Sequence, residues 1–280
     1  MMTSDNQFQD IHRILVALDA SPQSLAALEV AVEIAERFQA ELIVIHVEDI
    51  NLLRLAEFPF ACEIGHYSAT LRELQIPLIE FELRARSRSV ERAMALLAKK
   101  TDLRWSLRIT RGSIPEELIA AARESDLIIL GKTGWSRRRQ LGSTARVIAM
   151  QAPLRVLISQ RSHQPKLPVL LAYDGSSVCK RAIETLRLIK SERNFLTVLL
   201  LAEQRESMLL LKSEVQSLIE RIGMQADYRW TPKIDPQQIS HMVSMGRFGL
   251  LILPASSAYL PTDTLLGLLD KTDCSVLLVQ

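Results

Sequence analysis

Short aliphatic runs alternate with longer segments of helical periodicity along the whole chain. A run such as 127–130 (LIIL) is typical of a parallel strand that is buried on both faces. In the first half this pattern predicts strands near 13–18, 41–47, 104–110, 126–130 and 154–159, and helices near 22–39, 68–100, 114–124 and 142–152. Strands that alternate with helices indicate right-handed crossovers and a doubly wound sheet. The stretch 49–67, with Pro59 and Gly65, is predicted to be irregular.

The second half repeats this order. Residues 13–19 (RILVALD) parallel 168–174 (PVLLAYD), and both halves end in an aliphatic strand, at 154–159 and 275–280. The pattern predicts strands near 168–173, 195–201, 226–231, 249–253 and 275–279, and helices near 177–191, 205–222, 236–246 and 262–272. A repeat of this kind indicates a tandem duplication. We therefore expect domains at 1–160 and 167–280, with a junction near 161–166.

Composition narrows the functional classes. Hydrophobic residues make up 48% of the chain and charged residues 24%, as in soluble globular proteins. The net charge of +2 gives no electrostatic case for binding nucleic acid or an anionic membrane. No apolar run approaches the roughly 18 residues of a membrane helix, and the polar start of the chain predicts a cytoplasmic location. Cys62, Cys179 and Cys274 form no CxxC pair, so we expect apolar fillers and no metal site.

A candidate ligand site lies where strands one and four end, because ligands bind beyond the carboxyl ends of strands in open α/β sheets. Asp19 ends the first strand, and a glycine-rich segment follows the fourth. Glycines and a following helix N-terminus let backbone N–H groups approach an anion. The segment predicts a phosphate cradle from its glycines, hydroxyls and cations: Gly131, Gly134, Gly142, Ser143, Thr144, Lys132 and Arg137–Arg139.

The same residues have other interpretations. A P-loop needs a glycine where Asp126 stands, and a dinucleotide GxGxxG is absent after the first strand. Asp19 could simply cap the turn into the first helix. His46 is better explained as a packed strand-end residue than as a base. The arginines at 137–139 could form a solvated face, and Trp135 could cover a ligand or pack on its own loop.

These motifs resemble the nucleotide-binding branch of the universal stress protein family. That family has Gly, two residues, Gly, nine residues, Gly and then Ser or Thr after its fourth strand. Gly131, Gly134 and Gly142-Ser143 match these positions, although seven residues rather than nine separate Gly134 from Gly142. Asp19 matches the family's acidic residue, and 45–47 (IHV) matches its usual ending of the second strand. The shorter loop leaves open ATP, a nucleotide with fewer phosphates, or no tight binding.

The resemblance implies an α/β fold of two tandem Rossmann-like, adenine-nucleotide alpha hydrolase-like domains. Each would be a five-stranded, mainly parallel sheet flanked by helices. The domains would pair about a pseudo-twofold axis, with Val156–Ser159 facing Val276–Val279. It also implies that Asp19 lies near the adenosine and that the backbone around Val47 contacts the adenine. The phosphates, with or without Mg²⁺, would lie against Gly131, Lys132, Gly134, Gly142, Ser143 and Thr144.

The second half departs from the family pattern. Residues 254–257 (PASS) replace the first glycine pair, and Thr262-Asp263 falls near the Gly142-Ser143 position. Proline removes a backbone donor, and Asp263 would repel phosphate. Asp174 remains in place of Asp19. We therefore expect at most one nucleotide site, in the first half.

Three functions stay open at this point. The first is a stress-response protein that binds ATP, ADP or AMP in its first domain and acts as a nucleotide-dependent sensor or regulator. The second is an interaction module for an unidentified protein partner, recruited through the dimer-like surface or through 49–67. The third is a slow ATPase. Since the five histidines are scattered and no nucleophile and base fall together, the sequence names no catalytic residue. Further homodimerisation is also left open.

Overall fold

The computed structural model describes residues 11–64, 71–134, 140–153, 155–160, 168–186 and 196–280. In the first half these residues form β1 Arg13–Ala17, α1 Pro22–Phe38, β2 Glu41–Asp49, α2 Ile50–Ala56, β3 Cys62–Ile64, β4 Leu71–Glu73, α3 Ile76–Ala98, β5 Trp105–Gly112, α4 Ile114–Ala122, β6 Leu127–Gly131, α5 Ser143–Gln151 and β7 Arg155–Ser159. In the second half they form β8 Val169–Tyr173, α6 Ser177–Leu186, β9 Leu196–Leu201, α7 Arg205–Arg221, β10 Ala226–Thr231, α8 Pro236–Met245, β11 Leu250–Pro254, α9 Thr262–Lys271 and β12 Ser275–Val279.

A ten-stranded sheet runs through both halves in the order β10-β9-β8-β11-β12-β7-β6-β1-β2-β5. Counted outwards from the β7–β12 seam, each half has the same strand order, and its strands pair in parallel. At the seam β7 and β12 pair antiparallel, with Leu277 opposite Leu157 and Leu278 opposite Val156. The sequence prediction of an α/β fold with its halves joined through their last strands is confirmed.

The inner strands of the sheet are buried on both faces because they are aliphatic at most positions, whereas the edge strands β5 and β10 are partly exposed. Ile14 and Val16 face one core with α1, α3, α6 and α7, whereas Leu15 faces the other with α4, α5, α8 and α9. Each of the two cores contains residues from both halves. The seam is therefore part of the hydrophobic core and leaves neither β7 nor β12 as an open edge.

The segment 49–67 differs from its prediction. It contains α2, whose N-cap Asp49 accepts a hydrogen bond from Asn51 N at 3.0 Å, and β3, which pairs antiparallel with β4. The helix predicted from 68 begins only at Ile76, with Pro77 in its first turn, because the chain at Leu71–Glu73 belongs to this small sheet. Residues 65–70 lie outside the described part. None of the residues of α2 is buried, so the helix has no core-facing side that would mark it in the sequence.

Two of the three cysteines are apolar fillers, as predicted. Cys179 and Cys274 are buried, and burial raises the pKa of each thiol to about 12. Cys62 is exposed on β3, so the prediction is wrong there. The reason is that β3 belongs to the small outer sheet rather than to the main one.

Some predictions extend beyond the described residues. The end of the predicted helix 177–191, the first residue of the strand 195–201 and the junction 161–166 stay predictions, because the description stops at Leu186, resumes at Leu196 and omits 161–167. Among the helices that are described, none combines the length and apolarity needed to cross a membrane.

Candidate functional site

A cleft of about 300 Å³ opens at the carboxyl ends of β1, β2 and β6. It lies where the strand order reverses, since β1 is followed along the chain by β2 on one side and has β6 on the other. All eight residues that the family resemblance assigns to the site line this cleft: Asp19, Val47, Gly131, Lys132, Gly134, Gly142, Ser143 and Thr144. Its volume is at the small end of the range typical of small-molecule sites.

Asp19 follows β1 in a tight turn into α1. Its Oδ1 accepts a hydrogen bond from Ser21 N at 2.9 Å, and its own N–H donates to Ser24 Oγ at 3.3 Å. Ala20, between them, has a φ of 60°, the left-handed region that costs energy for a residue with a side chain. The Asp19 carboxylate therefore caps the turn and also lines the cleft, so the capping and binding interpretations describe the same side chain.

His46 positions the end of β1 from the neighbouring strand. Its Nδ1 lies 2.7 Å from the Leu18 carbonyl oxygen, which can only accept, so Nδ1 carries the proton. The side chain is 3% exposed, and its Nε2 has no hydrogen-bond partner within the described residues. The interpretation of His46 as a packed strand-end residue is confirmed. His46 also lines the cleft itself, and through Leu18 it holds the backbone that leads into Asp19.

The three glycines of the cradle have three different structural reasons. A Cβ on Gly131 would lie 3.0 Å from the backbone carbon of Gln23, so this glycine lets β6 pack closely against α1. A Cβ on Gly134 would lie 3.0 Å from Asp19 Oδ2, so a side chain at this position would crowd the carboxylate that lines the cleft. A Cβ on Gly142 would make only an ordinary contact, at 3.5 Å from Lys132 O. Of these three glycines, Gly134 is the one at which a side chain would crowd a carboxylate that lines the cleft.

Gln23, which sequence reasoning missed, holds the glycine segment against α1. With its amide nitrogen turned toward that segment, Gln23 donates to the carbonyls of Thr133 at 2.7 Å and Gly134 at 3.0 Å. The segment also closes on itself, because Gly142 N donates to Lys132 O at 2.9 Å. Residues 135–139, which include Trp135 and the three arginines, lie outside the described part of the chain.

The N-terminus of α5 forms one wall of the cleft. Its N-cap is Gly142, which has no side chain to accept from the first-turn N–H groups. Ser143 and Thr144 add hydroxyl groups on the same turn. Since a helix N-terminus carries partial positive charge, this wall is suited to an anion.

The side chain of Lys132 has different partners from those predicted. Its backbone lines the cleft, but its Nζ donates to the carbonyls of Asp270 at 3.0 Å and Thr272 at 2.7 Å in the second half. The side chain is 6% exposed. Burial lowers the pKa of this ammonium, although the negative charges of Asp273 and Asp270 act to raise it. The ammonium therefore serves the contact between the halves instead of supplying charge to a phosphate.

The opposite wall of the cleft is apolar. It is formed by aliphatic side chains of β2, α4 and β6, namely Ile45, Val47, Ile114, Leu118 and Leu130. A cleft lined by apolar side chains and by a helix N-terminus, which carries partial positive charge, suits a ligand with an apolar part and a negatively charged group. Within the described residues no group of three or more His, Cys, Asp or Glu is arranged to hold a metal ion.

Comparison with known proteins identifies the family. The model of the universal stress protein family matches residues 10–160. The chain belongs to the universal stress protein family. A universal stress protein of Mycolicibacterium smegmatis is 30% identical over 173 residues, which cover 58% of this chain and 54% of that protein. The match thus spans about half the length of that relative.

Solved universal stress proteins share the architecture of the whole chain. One from Archaeoglobus fulgidus aligns with a TM-score of 0.71 at 16% identity, covering 96% of each chain. A putative universal stress protein from Pseudomonas aeruginosa aligns with a TM-score of 0.62 at 14% identity, covering 98% of this chain and 95% of its own. At these identities the two likenesses show the fold alone.

The second half of this universal stress protein repeats the turn after the first strand but differs at the position of Gly134. Asp174 Oδ1 accepts from Ser176 N at 2.9 Å, as Asp19 does from Ser21, and Gly175, with a φ of 82°, takes the place of Ala20. Ser257, which stands where Gly134 stands, donates its hydroxyl to Asp174 Oδ2. Burial raises the pKa of Asp174, but hydrogen bonds from Ser176 and Ser257 bring it below its ordinary value. In the second half this carboxylate oxygen is thus bound by a side chain of the segment that corresponds to Gly131–Gly134.

Proposed function

We propose that this stress-response protein binds an adenine nucleotide in the cleft of its first half and uses it as a regulatory ligand. The observation that carries the proposal is the convergence of Asp19, the Gly131–Gly134 segment and the N-terminus of α5 on one cleft. ATP, ADP and AMP all present the required base, ribose and phosphate. The second half, with Ser257 bound to Asp174, serves as a structural partner.

The walls of the cleft suggest how the nucleotide is oriented. The adenine would lie on the apolar wall, with the backbone around Val47 within reach of its polar edge. Asp19 would accept hydrogen bonds from ribose hydroxyls, since a carboxylate is an acceptor. The phosphates would lie at the first turn of α5, with Ser143 and Thr144, and any Mg²⁺ would enter with them. At this turn the described lining groups are hydroxyls and backbone amides, so we propose binding rather than turnover.

A second candidate function has its own observation. Large apolar side chains are exposed in the turn after α2 and on β3 and β4, with Phe60 91% exposed and Phe58, Ile64 and Leu71 also open to solvent. Exposed apolar groups of this kind are typical of protein-binding surfaces. Capture of a partner through these side chains, independent of nucleotide, would favour an interaction module.

The proposed function is tested by titrating ATP into the protein and into Ser143→Ala. We expect affinity to fall about tenfold, because a hydrogen bond to a charged phosphate is worth about 1.5 kcal/mol or more. The matched control is Thr262→Ala, because Thr262 begins α9 as Ser143 begins α5, and both side chains are exposed. Equal ATP affinity in both variants would remove Ser143 from the site and count against the proposal.

A further inference from the structure

The glycine segment of the first half is bound at both ends to one helix of the second half. At its far end, Leu141 N donates to Asp270 Oδ1 at 2.8 Å, and Arg146 Nη2 on α5 donates to Asp270 Oδ2 at 3.0 Å. At its near end, Lys132 Nζ donates to the carbonyls of Asp270 and Thr272. Asp270 therefore contacts three groups of the other half, two through its carboxylate and one through its backbone.

These contacts hold Lys132 and Leu141, the two described ends of the segment. The ion pair between Arg146 and Asp270 is partly buried, so solvent screens it less than it screens an exposed pair. Lys132 is almost fully buried, and a buried ammonium is tolerated only when its N–H groups are bonded. Releasing Asp270 would leave Leu141 N and the Arg146 guanidinium without these partners. The ends of the segment would then lose the position that the contacts give them.

The position of these contacts relates them directly to the anion wall. Leu141 immediately precedes Gly142, the N-cap of α5, and Arg146 lies on that helix. Gly142 N in turn donates to Lys132 O, which joins the two anchored ends. A shift at Leu141 would therefore move the first turn of α5 and the hydroxyls of Ser143 and Thr144.

We propose that Asp270 is a positioning residue for phosphate binding: from the second half, it holds the glycine segment and the start of α5 in the arrangement that receives the phosphates. This inference rests on the proposed function. It assigns a role to the second half, whose own Asp174 is bound by Ser257. By linkage, phosphate binding would in turn strengthen the contact between the halves.

The test compares Asp270→Ala and Asp270→Asn with the unchanged protein, using ATP and adenosine as separate ligands. We expect Asp270→Ala to weaken ATP binding about tenfold and adenosine binding less than about twofold, because the loss concerns only the phosphates. Asp270→Asn should be intermediate, since its amide oxygen still accepts from Leu141 N but no longer pairs with Arg146. Asp263→Asn is the matched control, because it removes the same charge from the exposed first turn of α9.

A second readout needs no nucleotide. Hydrogen exchange of the Leu141 amide should be about tenfold faster in Asp270→Ala, with exchange at Leu15 in the core of β1 unchanged. Unchanged exchange at Leu141, or equal loss of ATP and adenosine, would overturn the role of Asp270. Unchanged ATP affinity in Asp270→Ala would overturn it while leaving the proposed function intact. Absence of ATP binding by the unchanged protein would overturn both.

Discussion

A Gly134→Ser variant is expected to lose about 100-fold in ATP affinity, or roughly 2.7 kcal/mol. The change copies into the first half the residue that stands at this position in the second. There Ser257 donates its hydroxyl to Asp174 Oδ2, and a Cβ on Gly134 would already lie 3.0 Å from Asp19 Oδ2. The new side chain would occupy the space before Asp19 and bind the carboxylate that the ribose is proposed to use. Isothermal titration with ATP measures the loss.

Gly134→Ala separates the loss of space in the cleft from the new hydrogen bond to Asp19. The methyl group narrows the cleft without offering a hydroxyl to Asp19, so its ATP affinity should lie between those of the unchanged protein and Gly134→Ser. The free energy of unfolding should change little in both variants, because the close neighbour among the described residues is the end of the Asp19 side chain. ATP affinity in Gly134→Ser within twofold of the unchanged protein would show that this space is not part of a nucleotide site.

A Leu278→Ala variant is expected to lower the free energy of unfolding by about 2–5 kcal/mol, the usual cost of removing a buried leucine side chain. Leu278 is fully buried on β12, opposite Val156 of β7 across the seam. Because each core contains residues from both halves, the loss should appear in one cooperative transition of the whole chain. Urea denaturation followed by circular dichroism measures it.

Leu210→Ala is the matched control for the seam. Leu210 lies on α7 with 75% of its surface exposed, so the same substitution removes few contacts there. We expect a change within about 0.5 kcal/mol. Two separate transitions in the unchanged protein, or equal costs for the two leucines, would contradict a core shared across the seam.

The inner strands of the main sheet could be predicted from the sequence because they are buried on both faces. A strand such as β6 is then a continuous aliphatic run, and the equivalent run in β11 predicts the same position in the second half. The same argument fails for α2, β3 and β4. None of their residues is buried, so no alternation between a buried and a solvated face marks where these elements begin and end.

The candidate site was predictable where its residues are close in sequence or end adjacent strands. Asp19, Gly134 and Ser143 belong to segments whose strands are neighbours, so the fold brings them together. The use of Lys132 was not predictable, because its partner carbonyls lie 138 and 140 residues away in the other half. The contacts of Asp270 were missed for the same reason. The side-chain chemistry of Lys132 is evident from the sequence. The partner of its ammonium depends on packing against a distant part of the chain, which the local sequence does not show.

The nucleotide content of the purified protein tests the central proposal most directly. Denaturing the protein and identifying the released small molecule by mass spectrometry, followed by titration with ATP and AMP, measures both identity and stoichiometry. The proposal predicts one adenine nucleotide per chain, and the number of its phosphates would show what the shortened loop accommodates. Absence of released nucleotide, together with no binding at millimolar ATP or AMP, would contradict it.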